Sequence, residues 1–309
     1  MVTDLQTRLL TELEPVVEAN LERHLANTRP WAPHDYVPWS RGRDFAFLGG
    51  EDWKPEDSPL DPVAQAALLV NLLTEDNLPS YHREIATRFG RDGAWGTWVG
   101  QWTAEEGRHS IALRDYLVVT RGVDPDTLEK MRMAHTVAGY DSGDKTPLEA
   151  LAYVSFQELA TRVSHRNTGK ASGCPVADQL LARIALDENL HMIFYRNLMS
   201  AALDIEPDAA LRAICREITG FAMPGALMDG FTENAIMIAK AGIYDLRIHH
   251  DDVLLPILRF WRVFDRSDLG PAGEQARERL AEFLTLVDDR AKHYEQKAGT
   301  RTAVLETVR

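Results

Sequence analysis

WTAEEGRHSIALRDY (102–116) and LLARIALDENLHMIFYRNL (180–198) each hold one Glu-x-x-His step, Glu106/His109 and Glu188/His191, and the step occurs nowhere else in the chain. In a helix, residues three apart lie about one turn from each other on the same face, so each pair can hold one ion between its side chains. A single such pair is ordinarily a surface Glu beside a surface His. The stripes around these two change that reading. Trp95, Trp98, Trp102, Glu106, His109, Leu113 and Tyr116 recur at steps of three or four, and so do Leu180, Ile184, Glu188, His191, Tyr195 and Leu198. Both stripes are otherwise apolar and aromatic, the pattern of a face turned toward a core. A carboxylate and an imidazole in the middle of a buried stripe cost several kcal/mol unless they are paired or bind a metal.

Two neighbouring segments supply one acid each at the matching height. Leu68, Leu72, Glu75, Pro79 and His82 form one stripe, and Leu151, Val154, Glu158, Thr161 and His165 the other. Glu75 lies fifteen residues before Gly90 and Glu106 thirteen after Gly93. In an antiparallel hairpin both therefore stand roughly 20 Å from the turn, facing each other. Glu158 and Glu188 flank the turn from Gly169 to Pro175 by eleven and thirteen residues. The order Glu, then Glu-x-x-His, thus appears twice, with gaps of 31 and 30 residues, as a repeat of two helical hairpins. Two single glutamates and two Glu-x-x-His pairs pointing into one bundle are the ligand set of di-iron carboxylate proteins. The expected fold class is all-α, a ferritin-like four-helix bundle core with additional peripheral helices. Oxygen donors with two imidazoles suit iron or manganese, and four carboxylates balance the charge of two ferrous ions. Pro79, four residues after Glu75, removes the N–H that would bond the Glu75 carbonyl and loosens or bends the first core helix there; a packing kink without function reads equally well.

Outward from this core, long periodic segments span roughly 62–89, 94–121, 146–168 and 176–204, giving core helices within about 62–204. An amphipathic helix is expected over 3–28, and an ordered, aromatic- and proline-rich arm over about 29–60. C-terminal helices follow over about 206–295, and the end at 296–309, which lacks a long apolar face, is expected to fray. No Pro/Gly/Ser-rich linker cuts the chain, so 1–309 is read as a single domain. No apolar run approaches the roughly 18 residues of a transmembrane segment. A net charge of −13 argues against a nucleic-acid surface. Cys174 and Cys215 make no disulfide framework and the amino terminus has no signal-peptide pattern, which points to the cytoplasm.

With TEDNLPSY (74–81), WTAEEGRH (102–109), FQELATRVSHRNTG (156–169) and DENLHMIFY (187–195) in hand, the chain resembles the soluble acyl-acyl-carrier-protein desaturases, especially the actinobacterial ones, from about residue 5 to 295. The resemblance implies Glu75 and Glu158 as terminal ligands, Glu106 and Glu188 as bridging carboxylates, and His109 and His191 as one nitrogen ligand per iron. It sets Thr161 beside the oxygen-binding face and Asp187 as partner to a ligand histidine, fixing its tautomer and orientation. Trp53 would continue an electron route towards His109, although an aromatic packed in the arm explains it more simply. Gly107 departs from the family's usual Asn, which bears on partner docking or rate rather than on metal binding.

The implied reaction is O2-dependent removal of hydrogen from two neighbouring methylenes of an acyl chain carried by acyl carrier protein. The chain has no flavin or nicotinamide fingerprint, so a ferredoxin-like electron donor is implied. The acyl chain is expected in an apolar channel between core helices. The carrier is acidic, and Arg162, Arg166, Lys170 and Arg183 are the candidate docking surface, with a solvated charged face as the alternative. Homodimerisation is a family expectation. The rivals are another di-iron oxidase, such as a hydroxylase or a ribonucleotide reductase radical subunit using Tyr116 or Tyr195, and a non-enzymatic iron-binding protein of ferritin type. His82 and His165 are read as satisfied core histidines, and the remaining ones, His24 among them, are unassigned.

Overall fold

The computed structural model describes residues 4–221 and 231–307, and no strand occurs among them. The helices begin where the sequence supplies a cap and a proline. Asp61 accepts the Ala64 N–H at 2.8 Å ahead of Pro62, and Thr146 and Glu149 form a reciprocal capping box around Pro147. Pro125, Pro175 and Pro207 likewise open their helices, at the one position where a missing N–H costs nothing. In order these are α1 (Asp4–Asn27), α2 (Pro62–Asp76), α3 (Leu78–Phe89), α4 (Gly93–Val119), α5 (Pro125–Ala138), α6 (Pro147–Ala171), α7 (Pro175–Ile205) and α8 (Pro207–Thr219). After them come α9 (Phe231–Lys240), the short α10 (Leu246–Ile248), a π-helical turn at His249–Leu254, α11 (Leu255–Phe260) and α12 (Pro271–Thr307).

The bundle is built from α2 with α3, α4, α6 and α7, and α6 and α7 make its most extensive helix pair. This is the ferritin-like all-α arrangement expected from the double hairpin. α1 packs on α4 and α7, α9 on α2, and α8 on α6 and α12. α5 was not anticipated; it lies against α2. The end read as fraying is helical through Thr307, with 308–309 outside the described residues.

The first core helix departs from the expected continuous 62–89 span. It breaks at Asn77, and the Glu75 carbonyl, which Pro79 cannot serve, accepts the Asn77 N–H instead. Asn77 is fully buried, and its amide nitrogen stands 3.2 Å from His135 Nε2 on α5. Burial lowers the His135 pKa, so the ring is neutral and accepts this hydrogen bond. The stripe that predicted Leu68, Leu72, Glu75, Pro79 and His82 on one face therefore ends at Glu75. Beyond the break Pro79 is exposed, His82 half-buried, and Ile85 and Phe89 turn inward.

Two apolar clusters divide the bundle. One contains Trp95, Trp98 and Trp102 of α4 with Phe194, Tyr195 and Leu198 of α7. The other contains Leu68 and Leu72 of α2, Leu113 and Leu117 of α4, and Leu180 and Ile184 of α7. Between them, on every core helix, falls the band of acids and histidines singled out above.

The arm is ordered, with 3-10 turns at Pro33–Asp35, Trp39–Arg41, Ala46–Leu48 and Pro55–Asp57. Arg121, only 3% exposed, clasps it: the guanidinium donates to the carbonyls of Asp44 (3.1 Å) and Glu51 (2.7 Å), pairs with Asp57 (3.1 Å) and lies over the Phe45 ring. Removing a buried donor of this kind leaves several acceptors unserved, a loss on the order of 2 kcal/mol. Arg121→Ala is expected to lower Tm by several degrees and to expose 43–57 to limited proteolysis first; an unchanged cleavage map would show that the arm is held by other contacts.

Candidate metal centre and family

Glu75 leaves the end of α2, Glu106 and His109 the middle of α4, Glu158 that of α6, and Glu188 and His191 that of α7. All six predicted residues are buried. They form two overlapping groups, Glu75/Glu106/His109/Glu188 and Glu106/Glu158/Glu188/His191, each with one atom per residue and all of those atoms within 4.8 Å of one another. Glu106 and Glu188 belong to both groups, which is where carboxylates bridging two ions must stand.

The donor atoms point at shared space rather than at each other. Glu106 Oε1, Glu158 Oε2, Glu188 Oε1, His109 Nδ1 and His191 Nδ1 are buried without a hydrogen-bond partner. His191 Nδ1 stands 2.8 Å from Glu106 Oε1 but lacks the angle of a hydrogen bond. Five such atoms, at about 1–3 kcal/mol each, would cost as much as the ~5–15 kcal/mol by which a whole protein is stable. The residues therefore fit a pair of cations, which would satisfy all five at once.

Electrostatics without metal tell the same story. Burial, with Glu188 and Glu106 alongside, holds Glu158 well above the carboxylate range, and burial and Glu188 also raise Glu106. Burial opposes Glu75 as well, but the imidazoles of His109 and His165 more than reverse it, and Glu75 is lowered. Against their own burial, His109 and His191 are raised by the surrounding carboxylates, so both rings hold protons where metal would otherwise supply positive charge.

Comparison with known proteins bears directly on this centre. The sequence model of the fatty acid desaturase family matches residues 5–308. A relative in Mycobacterium tuberculosis named as acyl-[acyl-carrier-protein] desaturase DesA1 is 54% identical over 288 residues, covering 91% of this chain and 85% of the relative. The chain belongs to the acyl-[acyl-carrier-protein] desaturase family. Stearoyl-[acyl-carrier-protein] 9-desaturase 3 of Arabidopsis thaliana is 28% identical over 321 residues, covering 97% of this chain and 76% of its own. The X-ray structure of DesA2 from M. tuberculosis, titled as an acyl-ACP desaturase, superposes with a TM-score of 0.72 at 35% identity, covering 87% of this chain and 99% of that one.

Around the centre of this desaturase each histidine has its own carboxylate from the opposite hairpin. Asp187 Oδ2 lies 3.5 Å from His109 Nε2, and Glu105 Oε2 lies 2.8 Å from His191 Nε2. Asp187 was expected as partner to a ligand histidine, and Glu105 was missed. Each acid immediately precedes a glutamate shared by the two donor groups, Glu105 before Glu106 and Asp187 before Glu188, so the repeat is acid-Glu-x-x-His, a signal present in the sequence and left unread. Thr161, buried as expected, donates from Oγ1 to Glu188 Oε2 at 2.8 Å. His165 is satisfied, but by a ligand candidate: its Nε2 stands 2.9 Å from Glu75 Oε1. His82 instead faces Thr103 Oγ1 at 2.8 Å.

One expectation is corrected, that for Arg183, while Trp53 and the two tyrosines take the packed places that the residues also allowed. Trp53 packs in the arm, its Nε1 donating to the Arg121 carbonyl at 2.9 Å. Trp31 is the arm aromatic that reaches the acid and histidine layer: Nε1 donates to Asp187 Oδ2 at 2.7 Å and the indole stacks at 6.3 Å on His109. Arg183 is no docking cation, since it is 8% exposed, pairs with Asp187 and lies over Trp31. Of the rival radical tyrosines, Tyr116 lies in the apolar cluster away from the acids, and Tyr195 packs against Trp98 and Phe194.

At Gly107 an added Cβ would meet only Leu78 Cδ2, at an ordinary 3.8 Å. Gly107→Ala should therefore raise stability by about 1 kcal/mol without changing metal content; a lower Tm would mean that the glycine serves the packing of α3 on α4. Because His109 and His191 are held protonated in the metal-free protein, metal binding must release protons, and apparent affinity must rise with pH. An indicator-dye titration in weak buffer tests this, and uptake without acidification contradicts it.

Proposed function

We propose that the chain works as one di-iron acyl-[acyl-carrier-protein] desaturase domain, introducing a double bond into a carrier-bound acyl chain. The observation that carries this reading is the pair of overlapping donor groups sharing Glu106 and Glu188, buried with unpartnered donor atoms in a member of that family. Glu75 and His109 would hold one iron and Glu158 and His191 the other, with Glu106 and Glu188 between them. Four carboxylates leave a diferrous pair buried without net charge, and hard donors with two imidazoles favour iron or manganese. Once bound, the metals supply the O2 chemistry that removes two hydrogens from adjacent methylenes.

The rest falls to this chain's own side chains. The two apolar clusters keep bulk water from the acid layer, and Trp102 Nε1 holds Glu158 Oε1 at 3.0 Å. Thr161 keeps its hydroxyl proton on Glu188 while standing in the wall of a 100 Å³ cavity that also reaches Glu75 and His165. Ile238 and Tyr244 also line the cavity, and their apolar surface suits part of an acyl chain beside the centre. Arg162 and Lys170 of α6 have no ion pair among the described residues and suit an acidic carrier, whereas Arg166 is engaged by Asp178 at 2.8 Å. Electrons from a ferredoxin-like protein would enter by Trp31, whose contacts run through Asp187 to His109. No described helix is long and apolar enough to cross a membrane; the reading includes action in the cytoplasm and a homodimeric assembly.

Anaerobic loading should give two irons per chain, and addition of ferredoxin, a reductant, O2 and acyl carrier substrates should yield a monounsaturated product located by mass spectrometry. Glu158→Gln should lower the rate by more than about 100-fold, the scale of losing a metal ligand or its orientation. Fully loaded protein that yields no unsaturated product from any chain length would sink the proposal, and a stable tyrosyl radical or iron uptake far above two per chain would redirect it.

A further inference from the structure

The centre is not symmetric in what stands behind its two histidines. Asp187, behind His109, meets Trp31 and two guanidinium groups, Arg183 through Oδ1 and Arg108 at 3.5 Å through Oδ2. Glu105, behind His191, has no guanidinium closer than Arg108 at 3.9 Å. Its Oε2 instead lies between two imidazoles, 2.8 Å from His191 Nε2 and 2.9 Å from His24 Nε2, while Gln101 donates to Oε1 at 2.6 Å. His24 comes from the last turn of α1, outside the four core helices, and is 1% exposed. Its ring is clamped edge-on against Trp98 at 5.0 Å and stacked on His191 at 5.7 Å, with Thr28 Oγ1 3.0 Å from the same Nε2.

We infer that His24 is a positioning residue for the iron held by His191, acting through Glu105, so that the N-terminal helix tunes one metal of the pair and not the other. A carboxylate that holds the far nitrogen of a ligand imidazole sets the ring's orientation and its basicity. Asp187 performs that task with its charge largely offset by Arg183. Glu105 performs it with no guanidinium nearer than Arg108, 3.9 Å from the other oxygen, and on the side away from His191 the His24 N–H, with Gln101, keeps it from rotating away. The acids that face this ring from the packed helices are Glu105 itself and, beyond His191, Glu106 and Glu158.

The inference rests on the di-iron reading, and the experiment separates the two. His24→Phe keeps a ring against Trp98 and His191 but deletes the donor, and His24→Gln restores an N–H at about the same reach. Full-length proteins, checked for unchanged helicity, are titrated anaerobically with ferrous iron and examined by Mössbauer spectroscopy of isotopically enriched iron. In His24→Phe one of two irons should bind about tenfold more weakly, the low end of the loss seen when a ligand's supporting group is removed. Only that iron's doublet should shift, and His24→Gln should return both signals to the wild-type values. Two irons bound as tightly as in the wild type with neither doublet moved, equal weakening of both, or no rescue by glutamine overturns the inference. A wild-type protein that takes up fewer than two irons overturns the di-iron reading itself, and this inference with it.

Discussion

The structure depends on one electrostatic constraint: six ionisable groups are buried in a single layer across four helices, where no unpaired charge can be carried cheaply. The two apolar clusters above and below that layer provide the driving force that brings the helices together, at roughly 25 cal/mol per Å² of buried apolar surface. They also deprive the layer of water. Its charges must then be settled locally: without metal, burial and neighbouring carboxylates push Glu158 and Glu106 up while the carboxylates raise both histidines against their own burial, and bound cations would take over that balance.

Support for the layer runs across the bundle rather than along its helices. His109 of the first hairpin leans on Asp187 of the second, and His191 of the second on Glu105 of the first. Elements outside the core finish the job, Trp31 from the arm on one side and His24 from α1 on the other. The arm is thus continuous with the centre at one end and clasped by Arg121 at the other, which gives an aromatic, proline-rich segment a definite place without regular secondary structure.

The break at Asn77 sets one ligand apart from the other five. Glu75 ends a helix, whereas Glu106, His109, Glu158, Glu188 and His191 sit in mid-helix, where the backbone is hydrogen-bonded on both sides. Glu75 also borders the cavity lined by Thr161 and His165, and His165 Nε2, 2.9 Å from its Oε1, holds it there.

The sequence by itself determined the six ligand candidates and the double hairpin, because acids and histidines in the middle of apolar stripes have one economical explanation and helical spacing is a local property. The approximate helix spans were legible from periodicity, and the caps at Asp61-Pro62 and Thr146-Pro147, which act within one turn, were local signals of the starts that the periodicity reading did not use. What lies more than a turn away was decided only in three dimensions. Nothing near residue 187 says that its partner is His109 rather than the adjacent His191, and Glu105 beside Glu106 carried the same pattern without announcing a role. Arg183 looked like a surface cation until packing buried it, and which arm tryptophan reaches His109 was not legible because an irregular arm has no period from which to read direction. Tertiary structure chose among these because hydrogen bonds and ion pairs between segments far apart in the chain depend on how helices dock, as with His24 on Glu105, 81 residues along the chain.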